Sequence, residues 1–169
     1  MAVITTLIPT ANQTPDATLG GLAVTGASNT GHSSTSAVAS NGAFQAKSCR
    51  WHTFQSVSGQ IRAITLKFDH TSTGSLIGGG SFNQFEVDYT LNGGGAWTTA
   101  VLREAYTFAQ GPTTASIPLS ATQDISQVQV RDLIVASTID LGENAAATAT
   151  MANIKLEVEF FQTGVVAMM

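Results

Sequence analysis

Few residues in this chain have side chains that can do chemistry. The three histidines are His32, His52 and His70, and there is one cysteine, Cys49. The histidines lack the i, i+4 spacing of a helical zinc site, and one cysteine builds neither a thiolate zinc cage nor an internal disulfide. No GxSxG elbow marks a nucleophilic serine. Gly78-Gly79-Gly80-Ser81 and Asn92-Gly93-Gly94-Gly95 lack the Lys-Ser/Thr of a phosphate loop and precede no helical pattern, so turn chemistry accounts for both. Glu86 and Asp88 stand two apart on one strand pattern, roughly 7 Å between Cβ atoms, a spacing that a glycoside hydrolase's paired carboxylates can use. Acids alternating along a water-facing strand explain the pair more simply, and Glu157 and Glu159 repeat it. The expectation is a protein without metal, cofactor or catalytic residues, that is, not an enzyme.

Aromatic residues on a polar background form the better binding signal. Trp51, His52 and Tyr106, with Trp97 beside a glycine-rich turn, are of the type that stacks on a sugar ring, and Asn92, Arg103 or Glu104 can supply hydrogen bonds. The competing reading puts Trp51 and Trp97 in the core, where large aromatic side chains of sandwiches usually lie.

The elements that must position these residues read as strands. In residues 85–91, Phe85, Val87, Tyr89 and Leu91 alternate with Glu86, Asp88 and Thr90, the period of a half-buried strand. Residues 154–160 repeat it with Ile154, Leu156, Val158 and Phe160 inward. Residues 61–68 place Ile64, Leu66 and Phe68 on one face, and 128–135 pass from alternation to a continuous apolar run. Weaker candidates are 20–25, 44–52, 97–102 and 115–119. Asn92 to Gly95 supplies the positive-φ residues of a hairpin joining 85–91 to 97–102. Pro112 and Pro118 suit an edge, and Gly78 to Gly80 a link. Residues 26–42 read as a long Ser/Thr/Gly/Asn-rich loop, and Ala145 to Ala147 as a candidate helical turn. The fold expected is all-β: a single antiparallel, jelly-roll-like sandwich over residues 1–169, about eight strands, negligible helix.

Composition narrows the role. The 169 residues are 43% apolar and only 11% charged, with mean hydropathy +0.17 and net charge −4. Such a balance folds rather than staying disordered, and it has no basic footprint for nucleic acid. No apolar run reaches the roughly 18 residues of a membrane helix, and no basic region followed by an apolar stretch marks a signal peptide at Met1. A surface poor in Lys and Glu favours association. The apolar ends are expected to be held by a partner copy, with Met1, Val3, Ile4, Val165, Val166 and Met168 as interface residues.

Two stretches resemble known families. Residues 85–99, with Leu91-Asn92-Gly93-Gly94-Gly95-Ala96-Trp97 before Thr98-Thr99, are similar to the "strand, D/N-G-G, x, W" hairpin of many extracellular and viral β-sandwich modules. Residues 36–69, from Ser36-Ala37-Val38-Ala39-Ser40-Asn41-Gly42 to Gly59-Gln60-Ile61-Arg62-Ala63-Ile64, resemble a pattern of tailed-bacteriophage structural proteins. Ser56-Val57 replaces the usual proline, and the usual upstream tryptophan is missing. The resemblance implies a jelly-roll or galactose-binding-like sandwich on a virion: a decoration, collar or tail accessory protein, made in the host cytoplasm. Its partners would be other copies of itself and other virion proteins, with neither nucleic acid nor membrane. It carries over no catalytic residue. A carbohydrate-binding module acting on cell-surface glycan through Trp97, Trp51 and Tyr106 is the alternative.

Overall fold

The structure, a computed structural model, describes residues 3–13, 32–57, 59–77, 82–105, 107–121 and 124–161. Ten strands follow one another: β1 (Val3–Leu7), β2 (Pro9–Gln13), β3 (His32–Ser40), β4 (Phe44–Phe54), β5 (Ile61–Ile77), β6 (Phe82–Thr90), β7 (Thr98–Ala105), β8 (Phe108–Leu119), β9 (Gln129–Ser137) and β10 (Asn144–Phe160). Among the described residues the one helical element is a 3-10 turn, Ile125–Gln127. The strands form two antiparallel sheets that pack against each other, the β-sandwich expected from alternation.

The first sheet runs β1-β10-β5-β8, with β3 also paired to β10, and the second β2-β4-β9-β6-β7. Strand β10 organises the first. Its opening half pairs with β3, its closing half with β1, and its other side with β5 from Asn144↔Ile77 to Phe160↔Ile61. The chain passes from the first sheet to the second across Ile8 alone, and Pro9, without an N–H to donate, opens β2 at the edge of the second sheet.

The inward rows are the ones alternation selects. Ile64, Leu66, Phe68, Phe85, Val87, Val128, Val130, Ile154, Leu156 and Val158 are buried in one cluster between the sheets, and Tyr89, Leu91 and Phe160 pack partly buried against it. The 85–91 and 97–102 segments pair as a hairpin, within β6 and β7, and both Pro112 and Pro118 sit on the edge strand β8.

Three expectations are corrected. The described residues alone form ten strands, against the eight or so expected. Residues 32–40 are not loop but β3, whose Ala37 and Ala39 are buried and which pairs with β10 from Ser40↔Asn144. Residues 145–147 make no helical turn: Ala145, Ala147 and Ala149 form another inward row, at the start of β10. Alanine contrasts too little with Ser and Thr for alternation to stand out, yet it packs well where strands approach closely. The candidate strand 20–25, the rest of the proposed loop before His32 and the Gly78 to Gly80 link lie outside the described residues.

Candidate functional site

Outside the core, side chains converge most densely on the outer face of the second sheet. Asp88 on β6 stands opposite Arg131 on β9. Arg131 donates from Nε at 2.8 Å and approaches from Nη2 at 2.7 Å, both to Asp88 Oδ2. The same guanidinium lies over Trp97, 4.3 Å from the ring centroid, a cation–π contact. Beneath this cover the Asp88 side chain is only 3% exposed. Asp88 is therefore a buried ionic partner, correcting the expectation of a solvated strand face.

Glu86, two residues back on the same face, receives Gln84 Nε2 and, at 3.3 Å, Thr99 Oγ1. Burial first, then hydrogen bonding with Asp88 and its like charge, holds the Glu86 carboxyl above the ordinary range. Asp88 Oδ1 is buried and receives no N–H or hydroxyl donor. Of the two carboxylates, Asp88 is ion-paired to Arg131 and covered. The two acids lie side by side on β6, the Asp88 one under an Arg–Trp lid. A raised folded pKa means that the contribution of Glu86 to stability is present below its unfolded pKa and is lost as pH rises through the folded value. Glu86→Gln, uncharged at every pH and still a donor, is expected to stabilise the fold at pH 7 by up to about 1 kcal/mol, kept small by solvent screening. The gain should fade at pH 4, and denaturant titrations at the two pH values measure it.

The structure does not bring the proposed sugar platform together. Trp51 is fully buried on the inner side of the second sheet, in the core cluster, while Trp97 is half-buried on the outer side. Asn92 is occupied by its own turn: its Oδ1 accepts the Thr90 hydroxyl at 2.7 Å and the Ala96 N–H at 2.9 Å. Arg103 is exposed on the edge strand β7 and donates to the Leu102 carbonyl. Tyr106, and the side chains of His52 and Glu104, lie outside the description. Of the proposed interface residues, Val3 and Ile4 are 52% and 63% exposed on β1; Met1, Val165, Val166 and Met168 lie outside the described residues.

Two polar features of the first sheet escaped sequence reasoning. His70 points inward, 3% exposed, with its ring 5.7 Å from Phe68 and 5.5 Å from Phe85. Burial, then the charge of Arg103, holds it below the ordinary histidine range and so neutral. On the outer face an open cavity of about 440 Å³ is lined by Ile8, Lys67, Asp69, Thr114, Asn153 and Lys155 among others. Asn153, at φ +53° in a bulge of β10, donates to Asp69 Oδ2, and Thr114 donates to Oδ1, each at 2.6 Å. These two bonds, Asn153 first, hold the Asp69 carboxyl below its ordinary pKa. Asn tolerates the left-handed conformation that such a bulge requires.

Charge is unevenly distributed over this sheet. Arg62, Lys67, Asp69, Lys155, Glu157 and Glu159 all fall at one end, where Arg62 pairs with Glu159 at 2.9 Å and Lys67 with Glu157 at 2.6 Å. The other end, where residues 144–150 pair with 71–77 on one side and with β3 on the other, carries no Asp, Glu, Lys or Arg. Its outer surface is built of hydroxyl and small side chains, with Thr71 bonded to Thr150 and Thr73 to Thr148 at 2.5 Å.

Among the described residues no group of three or more His, Cys, Asp or Glu can hold a metal ion, and no helix is long and apolar enough to cross a membrane. No family model, curated protein or solved structure matches this chain.

Proposed function

We propose that the chain is a non-enzymatic structural subunit of a tailed-bacteriophage virion, a decoration, collar or tail accessory protein that works by packing against its neighbours. The observation that carries this reading is the charge-free end of the first sheet, a surface of Thr, Ser, Ala and Val with nothing to repel a copy of itself or a neighbouring subunit. Monomeric proteins use dispersed charge to stay apart, and a face without charge loses that protection. The two acids on β6 support a structural role, since Asp88 is committed to Arg131 and Glu86 accepts from Gln84 and Thr99.

The particle itself is the test. Purified virions should contain the chain in fixed stoichiometry by mass spectrometry, and its gene should be flanked by capsid, portal or tail genes. A chain confined to the soluble lysate, with specific glycan-array binding abolished by Trp97→Ala in a folded variant, would overturn the reading in favour of a carbohydrate-binding module.

A further inference from the structure

Large exposed apolar side chains gather at one end of the sandwich. Leu141 is 87% exposed and Ile139 70%, both in the β9–β10 connection, and Phe44 (66%) and Val38 (54%) flank it on β4 and β3. An exposed apolar loop is ordinarily free to collapse onto its own domain. This one is held out by a dense hydrogen-bond frame. Glu143, itself buried, accepts the N–H groups of Ile139 and Asp140 at 2.9 and 3.0 Å. Thr138 Oγ1 accepts those of Gly42 and Ala43 at 2.9 and 3.0 Å. Asn41 ties the two connections together, its Oδ1 accepting from Gly142 and its N–H donating to the Glu143 carbonyl. Gly42 has φ +78°, and a Cβ there would stand 3.1 Å from the Ile139 carbonyl oxygen, so the approach of the two connections needs glycine. The frame removes in advance most of the ordering cost that binding through a loop would incur.

Beside this tip lies a hole of matching character. Val38, Ser75, Leu76, Asn144, Ala145 and Ala146 line an open, mainly apolar cavity of about 240 Å³, larger than the roughly 150 Å³ that accommodates benzene in an engineered core. Asn144 follows Glu143 directly, so knob and hole belong to the same end of the molecule.

We infer that Leu141 and Ile139 of one copy of this chain insert into the Val38–Leu76–Ala146 cavity of a second copy, and reciprocally, in a twofold end-to-end contact. A second copy is the occupant that the surface selects. Each molecule carries both halves of the match, so one twofold axis between tip and cavity satisfies both at once, as an isologous contact requires. The only charged residue in the tip connection besides the buried Glu143 is Asp140, an anion, which disfavours an anionic lipid surface or nucleic acid. A contact of two inserted side chains per copy is weak alone and becomes effective where other contacts of an assembled particle hold the two copies together. This inference rests on the reading of the chain as an assembling subunit.

Methyl NMR of the full chain over a dilution series from about 1 mM, with sedimentation as a second measure, tests it. The expected result is concentration-dependent shifts at Leu141, Ile139, Val38 and Leu76, with self-association weakened at least tenfold by Leu141→Asp and by filling the cavity with Ala146→Trp. Leu141→Asp alters only an exposed side chain and should leave the thermal midpoint unchanged, so it decides the matter even if the cavity variant fails to fold. Methyl signals that do not move with concentration, or association unaffected by Leu141→Asp, overturn the inference. If the unaltered chain does not pair in solution and Leu141→Asp enters particles at the unaltered level, the inference is overturned and the virion reading stands. Absence from particles of a chain that pairs through Leu141 does the reverse.

Discussion

Arg131→Ala is expected to cost about 3 kcal/mol of stability in denaturant unfolding, because it leaves the Asp88 carboxylate in place without its cation. The side chain of Asp88 is 3% exposed, that of Arg131 40%. A buried carboxylate relies on its partner to offset desolvation, and removing one member of such a pair costs more than the pair contributes. The estimate sits at the lower end of the usual range because truncating a part-exposed arginine opens a path for water. Two further losses add to it: Trp97 forfeits its stacked cation, and the Glu86 and Asp88 charges face each other unrelieved. The double variant Arg131→Ala with Asp88→Asn should recover more than half of the loss, since the orphaned charge is then gone. A double-mutant cycle in which the two losses simply add would show that the pair is not coupled.

Trp51→Ala should be the more damaging change, about 3–5 kcal/mol, or a fall in thermal midpoint on the order of 10 °C or more for a domain of this size. Trp51 is fully buried in the cluster between the sheets, opposite Val130 in the register of β4 and β9. Its removal leaves a cavity that strands fixed by ladders on both sides cannot close. Trp97→Ala, by contrast, should cost about 1 kcal/mol or less, the scale of one part-exposed cation–π contact. Equal effects of the two substitutions on the melting temperature would contradict the assignment of one tryptophan to the core and the other to the outer face.

The long-range consequences of burial explain which parts of this protein are legible in the chain itself. Alternation is a local property of extended backbone, which sends successive side chains to opposite faces, and so residues 61–68, 85–91 and 154–160 declare both their strands and their inward rows. The Asn92 to Gly95 turn and the prolines of the edge strand are equally local, depending on φ and on a missing N–H. The same logic weakens where the alternating residues are Ala against Ser and Thr, and so residues 32–40 and 144–150 pass for loop or helical turn until they pair with each other.

What a face becomes depends on what lies across it, and that is not local. By sequence Asp88 and Glu157 are the same kind of residue, an acid on an outward position. The first is buried because β9 brings Arg131 beside it and Trp97 stacks on that guanidinium; the second stays half-exposed in ion pairs with lysines. The charge-free end of the first sheet arises likewise, because the antiparallel register lays the uncharged residues 71–77 against the uncharged 144–150, segments some seventy residues apart. Where large apolar and polar residues alternate, strand identity and inward rows are thus determined by the sequence alone, through backbone geometry. The buried ion pair, the uncharged face and the framed apolar tip are decided by tertiary structure, because each depends on distant strands meeting in one register.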